Sequence, residues 1–436
     1  MSKKLLYVKT YGCQMNVHDS EKLKGIYTDN GYTIIDSPEA ADVIILNTCS
    51  VRRKAEQKFY SELGRLKIFK KQKSNVDILV VGCIAQQEGQ NIRSRFPYVN
   101  FICGPAQLDK IAERLKGTYS QGIAVGENDD YTTMILPVKR ESQIKAFVSI
   151  MYGCDNFCSY CVVPFTRGRE KSRPVRDILC EIESLSADGV KEVTLLGQNV
   201  NSYGKGLDET INFTGLLEQV NEIEGLKRIR FVTSHPRDLT DRLIEAMAFL
   251  PKVCEHIHLP LQAGSDRVLT RMNRGYTYET YEGKISALRA KVPDIAITSD
   301  FIVGFPSETD EDFAMTVKAI ERIQFDGIFA FKYSKRPYTK ALTMDGHLDE
   351  VIKGTRLAEI LKQQDEITYA KNRTLEGKAL EVLVEGQSET NKEMLTGRTR
   401  TNKIVNFPAK GTNLTGSFVY VKVIESKRHS LYGEII

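Results

Sequence analysis

The sequence predicts an α/β chain in three parts: an N-terminal parallel-sheet domain, a central partial (β/α)6 barrel and a small C-terminal antiparallel β-barrel. Three observations predict it. Near-continuous apolar runs alternate with helical patterns through the first 125 residues; strands of that kind are buried on both faces and belong to parallel sheets. From residue 145 the same rhythm returns as six strand–helix repeats. Residues 373–436 carry instead five short β-rich runs with turns at Gly386, Gly397 and Gly411.

At 436 residues the chain suffices for two or three sizeable cores, and we divide it at 1–125, 140–372 and 373–436. Its 41% apolar and 27% charged content is ordinary for a soluble protein. No stretch approaches a membrane span, and Lys3-Lys4 runs into a short strand rather than a signal peptide's apolar run. Nine cysteines without a secretory signal argue for metal chemistry over disulfides, and for a cytoplasmic location.

In the first part, strands are read over 5–10, 42–48 and 76–82 and helices over 20–29 and 52–70. A cysteine follows each strand: Cys13, Cys49 and Cys83, 36 and 34 residues apart, about one βα unit each. Ligands bind beyond the carboxyl ends of parallel strands, so the three converge where a cofactor would sit. An iron–sulfur site is the favoured reading; three small buried hydrophobes are the alternative. Cys103, after the strand-like run 99–102, reaches the same edge. A helix over 107–116 and the aperiodic polar stretch 122–131 then mark a boundary.

The central strands are read over 146–150, 192–196, 228–233, 253–259, 295–303 and 327–333, with helices over 175–187, 213–223, 240–250, 278–290 and 310–323. Just past the first strand, Cys154, Cys158 and Cys161 fall within eight residues. Three thiolates can hold three corners of a 4Fe–4S cube, leaving one iron open for substrate or cofactor. Zinc, a ferredoxin-type cluster and free thiols are the alternatives. The first two normally need a fourth ligand nearby, whereas the next cysteine, Cys180, lies 19 residues on. Cys180 and Cys254 sit in apolar patterns and read as core.

Chemistry in such barrels sits at the strands' carboxyl ends. Those ends are polar here, with Gln198 and Asn199, Ser234, Gln262 and Ser265, and Gly304, and together they outline a cofactor and substrate cavity. The side chains offer donors and acceptors, and glycine admits backbone amides to a cofactor. His235 and His258 read as locally hydrogen-bonded rather than as ligands or bases.

A long amphipathic helix over 350–375 leads to short strands over 379–384, 394–400, 403–406, 417–424 and 430–434, a barrel of the oligonucleotide-binding kind. Of the chain's net charge of +5, most lies from Lys371 onward, where eleven Lys or Arg face seven Asp or Glu. That surplus suits a polyanion, or a merely solvated basic surface. Arg398, Arg400 and Lys403 are the candidate basic face; Phe407 either stacks on a base or is core.

The Cys154–Cys161 loop, with aromatic Tyr160 before its last cysteine, resembles the radical S-adenosylmethionine superfamily. The resemblance implies S-adenosylmethionine at the open iron, contacts to it from Tyr160 and the strand-end residues above, and a 5′-deoxyadenosyl radical. Over essentially the whole chain, the order of parts resembles the methylthiotransferase family: a three-cysteine domain, a radical S-adenosylmethionine barrel and a TRAM domain. The segments Tyr11-Gly12-Cys13-Gln14-Met15-Asn16, Asn47-Thr48-Cys49-Ser50-Val51-Arg52 and Cys161-Val162-Val163-Pro164-Phe165-Thr166-Arg167-Gly168-Arg169-Glu170 are similar to members that act on tRNA.

The resemblance implies methylthiolation of carbon 2 of N6-dimethylallyladenosine at position 37, beside the anticodon. It implies two 4Fe–4S clusters and two S-adenosylmethionine molecules: one methylates a sulfur on an auxiliary cluster held by Cys13, Cys49 and Cys83, the other supplies the radical. Cys103 is then a structural thiol, since the family uses three. Radical chemistry suits carbon 2, which is neither acidic nor furnished with a leaving group. Arg167, Arg169 and Arg173 are candidates for loop phosphates, or else form surface salt bridges. The implied partners are a tRNA anticodon stem-loop, a sulfur donor and a low-potential electron donor, around a monomer. Other targets within this chemistry are threonylcarbamoyladenosine in tRNA and a ribosomal-protein aspartate. A non-catalytic iron–sulfur RNA-binding module is the alternative from another class, and it leaves the cavity unexplained.

Overall fold

Strands and helices alternate from the start as β1 (Leu5–Thr10), α1 (Gln14–Asp29), β2 (Thr33–Ile34), β3 (Val43–Thr48), α2 (Arg53–Gln72), β4 (Asp77–Gly82), α3 (Cys83–Arg95), β5 (Phe101–Cys103), α4 (Asp109–Leu115) and β6 (Ile123–Ala124). This computed structural model describes residues 3–50, 53–207, 211–409, 411 and 413–436. Val51 and Arg52 of the second cysteine motif, with the helix start read at 52, lie outside the described residues.

The first sheet is parallel in the order β2-β1-β3-β4-β5-β6. β3 is buried throughout and β4 nearly so, because apolar cores cover both faces of the sheet. The register sets Thr10 opposite Asn47 and Thr48 opposite Gly82, so the three cysteine-bearing strand ends lie abreast. Helix α1 begins six residues before the helix read from the sequence. Its first turns are polar, and periodicity alone misses them. Asn16, His18, Asp19, Ser20, Glu21 and Lys22 are nevertheless buried, because they face the neighbouring strands and the central domain. Thus Lys22 Nζ donates to the Tyr152 hydroxyl at 3.0 Å, and Glu21 accepts from the Glu141 amide at 3.3 Å.

The central domain runs β7 (Lys145–Ser149), β8 (Met151–Tyr152), α5 (Val163–Thr166), β9 (Lys171–Ser172), α6 (Val175–Ala187), β10 (Glu192–Leu196), α7 (Phe213–Glu222), β11 (Arg228–Phe231), α8 (Asp241–Phe249), β12 (His256–His258), α9 (Asp266–Arg271), α10 (Tyr278–Lys291), β13 (Ala296–Val303), α11 (Asp310–Ile323) and β14 (Gly327–Lys332). Two parallel sheets, β7-β10-β11 and β12-β13-β14, meet where Ile229 bridges Val253 and the Cys254 amide donates to Ile229 O at 3.0 Å. Six strands in chain order thus form the open, partial barrel. The short elements β8, β9, α5 and α9 escaped the sequence reading because each is too brief to show a period. Cys180 corrects another expectation. It is exposed, because α6 buries its Ile178, Ile182 and Leu185 stripe and turns Cys180 outward; Cys254 is buried as expected.

After α12 (Glu350–Arg373), the strands β15 (Ala379–Gln387), β16 (Met394–Thr399), β17 (Ile404–Pro408), β18 (Phe418–Ser426) and β19 (Leu431–Ile435) close a barrel in the order β15-β16-β17-β19-β18, with β17 and β19 parallel. Phe407 is fully buried in its core beside Val405 and Leu395, so it does not stack on a base.

This barrel docks on the amino ends of the central strands through charges. Arg228 donates to Arg398 O at 2.8 Å and to Glu381 at 2.7 Å; Arg230 donates to Arg400 O at 2.8 Å. Lys145, first in β7, pairs with Glu385 at 2.7 Å. The candidate basic face is consumed here. Arg400 grips Glu255 at 2.7 Å, Lys403 pairs with Asp326 at 3.2 Å and Arg398 with Glu385 at 3.3 Å. These partly buried cations, with carboxylates at hand, hold the domain in place.

Two buried histidines give the central domain a mild-acid sensitivity. Burial, reinforced by Arg274 and Arg237, lowers His235 to about 2; burial, reinforced by Arg230, lowers His256 to about 3. The unfolded chain therefore takes up these protons near the ordinary value of about 6.5, while the folded chain refuses them. Stability is full above that value and declines as pH falls, by up to about 3 kcal/mol per pH unit for the pair, at ~1.4 kcal/mol each. The urea midpoint of the full chain should drop between pH 6 and 5, and His256→Gln should flatten that slope.

Candidate cluster and cofactor site

The Cys154–Cys161 loop leaves the carboxyl end of β7, and β8 pairs with β9 to clamp its two ends. Gly153 sits at φ +74, and a Cβ there would stand 2.0 Å from Arg169 O, so only glycine fits. The Gly153 amide donates to Gln198 Oε1 at 2.5 Å, and the Cys154 amide to Gly168 O at 3.2 Å. Farther along, Asn273 Nδ2 donates to Phe157 O at 3.1 Å and Ser159 Oγ to Arg271 O at 2.8 Å. Four tethers from three surrounding segments thus hold the loop. Burial pushes the Cys154 thiol up to about 11 and the Cys161 thiol up to about 12, so binding a cluster must displace their protons.

Arg274 was not singled out from the sequence, and it lies against this loop. It is buried, donates to Cys158 Sγ at 3.3 Å and to Pro260 O at 3.0 Å, and reaches the Tyr160 hydroxyl at 3.4 Å. The signal available was the polar run Asn273-Arg274-Gly275 just before the helix read over 278–290, a run with no role assigned to it from the sequence.

The strand-end residues divide into two groups. Asn199 Oδ1, Ser234 Oγ and Gln262 Oε1 are buried without a hydrogen-bond partner among the described residues, and so is His235 Nε2. Orphaned buried polar atoms are costly, and four at one rim mark where a polar ligand belongs. His235 accepts from the Arg237 amide at Nδ1 (3.3 Å), so the neutral ring carries its proton on the orphaned Nε2. Thr233 and Gln262 hold left-handed backbone, at φ +67 and +75; for β-branched Thr233 that is strained, as at many ligand sites. These residues fit S-adenosylmethionine, which presents hydroxyl, amine, carboxylate and ring nitrogen groups.

The other group is already engaged within the protein. Gln198 supports the cysteine loop. Ser265 caps α9 and donates to Asp312 at 2.5 Å. Gly304 makes room for α12, since a Cβ there would meet Lys353 Cγ at 2.1 Å. Tyr160 is partly buried, packs against the domain core and lies next to Arg274.

The N-terminal cysteines gather around a hydrogen-bonded asparagine pair. Asn16 Oδ1 accepts from the Cys13 thiol at 3.3 Å, while Asn16 Nδ2 reaches Thr48 O at 3.0 Å and Asn47 Nδ2 reaches Asn16 O at 2.8 Å. Gly12, at φ +131, lies so close to Cys49 that a Cβ would stand 2.5 Å from the cysteine's own. Burial pushes the Cys83 thiol up, with Arg167 opposing and Cys13 reinforcing that shift, which puts Cys83 near Cys13. Cys103 does not join them: its thiol donates to Gln107 O at 3.0 Å inside the core with Leu108 and Ile111. Among the described residues, no His, Cys, Asp or Glu group is close enough to hold a single metal ion. A four-iron cube spaces its ligands more widely than one ion does.

Arg167 connects the two cysteine sets. It lies six residues beyond Cys161, pairs with Asp19 of α1 at 2.7 Å, and both side chains are almost fully buried (5% and 1% exposed). Burial opposes its charge, but Asp19, Cys83 and Cys13 hold it protonated, well above the usual arginine value. Arg167 Nη1, Asp19 Oδ1 and Ser50 Oγ remain without partners among the described residues, the orphan signature again. Of the arginines offered to RNA phosphates, Arg167 is thus committed inside. Arg173 is committed too, to Glu181 at 2.8 Å and Ser149 O at 2.6 Å. Arg169 alone is exposed, paired with Asp155 at 2.7 Å.

The partial barrel with a three-cysteine loop at its carboxyl ends defines a radical S-adenosylmethionine enzyme. Family models match accordingly: the uncharacterized protein family UPF0004 over residues 5–104, the radical SAM superfamily over 148–320 and the TRAM domain over 373–436. The fold is similar to that of a radical S-adenosylmethionine methyltransferase, TsrM, from Kitasatospora setae, at TM-score 0.55 and 14% identity over 78% of this chain and 77% of that one. The chain is 53% identical to a tRNA-2-methylthio-N(6)-dimethylallyladenosine synthase of Thermodesulfovibrio yellowstonii over the full length of both. It is 49% identical to the protein of that name from Caldicellulosiruptor saccharolyticus, over 99% of this chain and 93% of the other. The chain belongs to the tRNA-2-methylthio-N(6)-dimethylallyladenosine synthase family of radical S-adenosylmethionine methylthiotransferases. Among the described residues, no helix is long and apolar enough to cross a membrane.

Proposed function

We propose that this chain methylthiolates carbon 2 of N6-dimethylallyladenosine at position 37 of tRNA, in the cytoplasm, with two 4Fe–4S clusters and S-adenosylmethionine. Its working parts are residues 1–125 around the auxiliary cluster, 140–372 around the radical cluster and 373–436 as an RNA-binding barrel. Cys154, Cys158 and Cys161 would hold one cluster and Cys13, Cys49 and Cys83 the other. When bound, the first supplies the electron that cleaves S-adenosylmethionine to a 5′-deoxyadenosyl radical, and the second carries the sulfur.

The observation that carries this reading is the buried Arg167–Asp19 pair, which ties the segment after one cysteine loop to helix α1, the helix that starts directly after Cys13. Radical and sulfur must meet on one purine, and such a junction brings the two sites together and excludes water. The rest is the work of the chain's own residues. Gln198 and Asn273 fix the loop, Arg274 donates to Cys158, and Asn199, Ser234, Gln262 and His235 Nε2–H offer themselves to the cofactor's polar groups.

Mass spectrometry of tRNA nucleosides tests the assignment. A strain lacking this chain should accumulate N6-dimethylallyladenosine and lose its methylthio derivative, and the gene in trans should restore it. An unchanged methylthio nucleoside would sink the reading.

A further inference from the structure

Three exposed aromatic rings from three segments meet beside the Cys154–Cys161 loop. Phe157 lies within the loop, Phe165 on α5 and Tyr338 beyond β14; they are 41%, 43% and 63% exposed. Their ring centroids step 6.3 Å from Phe157 to Phe165 and 5.9 Å from Phe165 to Tyr338. Two of the three are held in left-handed backbone, Phe157 at φ +44 and Tyr338 at φ +66. Aromatic residues avoid that region, so strain is spent on keeping apolar rings in water, which core packing cannot explain. Isolated exposed apolar residues are common; a contiguous strained trio is not.

Positive charge rims the rings. The Arg169 guanidinium, paired on one side with Asp155, lies 5.2 Å over Phe157; Arg237, beside Asp238, is bound to Asn156 at 2.5 Å; and exposed Lys335 and Lys340 flank Tyr338 in sequence. The C-terminal barrel, by contrast, docks at the amino ends of the strands, a full strand length away, with its central arginines committed. Resting on the proposed tRNA reading, we infer that Phe157, Phe165 and Tyr338 form a stacking platform for unpaired bases of the substrate's anticodon loop, at the mouth of the radical site. Splayed single-stranded bases are held on aromatic faces with arginine or lysine nearby, and each stack contributes enough that removing a ring weakens binding about fivefold or more.

The test measures binding of an anticodon stem-loop RNA to the reconstituted full chain. Tyr338→Ala and Phe165→Ala should each weaken binding about fivefold to a hundredfold, with the salt dependence unchanged because no phosphate contact is lost. Tyr338→Trp should restore it, and the loss should be equal on prenylated and unprenylated RNA. Iron content reports whether Phe165→Ala preserves the nearby loop; Tyr338, the most exposed of the three rings and outside the loop in sequence, stands as the second variant. Affinity unchanged in Tyr338→Ala would overturn the platform, as would a loss confined to prenylated RNA, which would mark a prenyl site instead. If the unaltered chain failed to bind the stem-loop at all, the tRNA reading itself would fall.

Discussion

Replacing Cys13, Cys49 and Cys83 together by alanine is expected to halve the iron of the anaerobically reconstituted chain, from about eight to about four per chain, and to abolish the methylthio product. Formation of 5′-deoxyadenosine should persist. The separation follows from how each set is held. The Cys154–Cys161 loop is fixed by Gln198, Asn273, Gly168 and Arg271, all within the central domain, so it needs nothing from the N-terminal strand ends. The N-terminal cysteines are small side chains at strand ends, and the asparagine network of Asn16 and Asn47 persists without their sulfurs apart from the bond to Cys13. Iron and sulfide analysis, chromatographic assay of 5′-deoxyadenosine and mass spectrometry of the RNA nucleosides read the three outcomes. Loss of both activities together would count against separate roles for the two sets.

Much of this arrangement was legible in the sequence because period and position were sufficient. Apolar runs gave the parallel strands, and a cysteine after each of three strands had to reach the carboxyl edge once the sheet was parallel. The bounds of α6 and α11 agree with their apolar stripes for the same reason. What stayed hidden depends on partners far along the chain. Nothing local to Arg400 or Lys403 tells that Glu255 and Asp326 await them at the amino ends of the barrel. Likewise Arg167 reads as a surface cation until α1, a polar helix with a buried face, is set against it, and Arg173 until Glu181 of α6 is paired with it. Ser265 and Gly304 were picked for their position at strand ends, where nothing local tells that the one also caps a helix and the other also admits a close helix. Arg274 fell in a turn that had no period to mark it.

The same buried pair gives the second large effect. Arg167→Met should destabilise the chain by about 3–5 kcal/mol, because Asp19, 1% exposed, would be left as a buried charge without its partner. Asp19→Asn should do comparable harm by orphaning Arg167, yet the double variant should recover part of the loss, since neither charge then remains. Arg169→Met provides the contrast: two positions on, its exposed pair with Asp155 is screened by solvent, so its replacement should cost no more than about 1 kcal/mol. Urea midpoints of the four proteins measure the coupling. A second readout separates positioning from mere stability. Arg167 belongs by sequence to the segment after the radical-site loop and is felt electrostatically by Cys83, so its removal should lower iron retention at the N-terminal set while the Cys154, Cys158 and Cys161 set keeps its own. Additive midpoints in the double variant, or equal iron loss from both sets, would mean that Arg167 does not join the two sites; coupling with selective loss would mean that one side chain holds the sulfur-bearing edge against the radical-generating one.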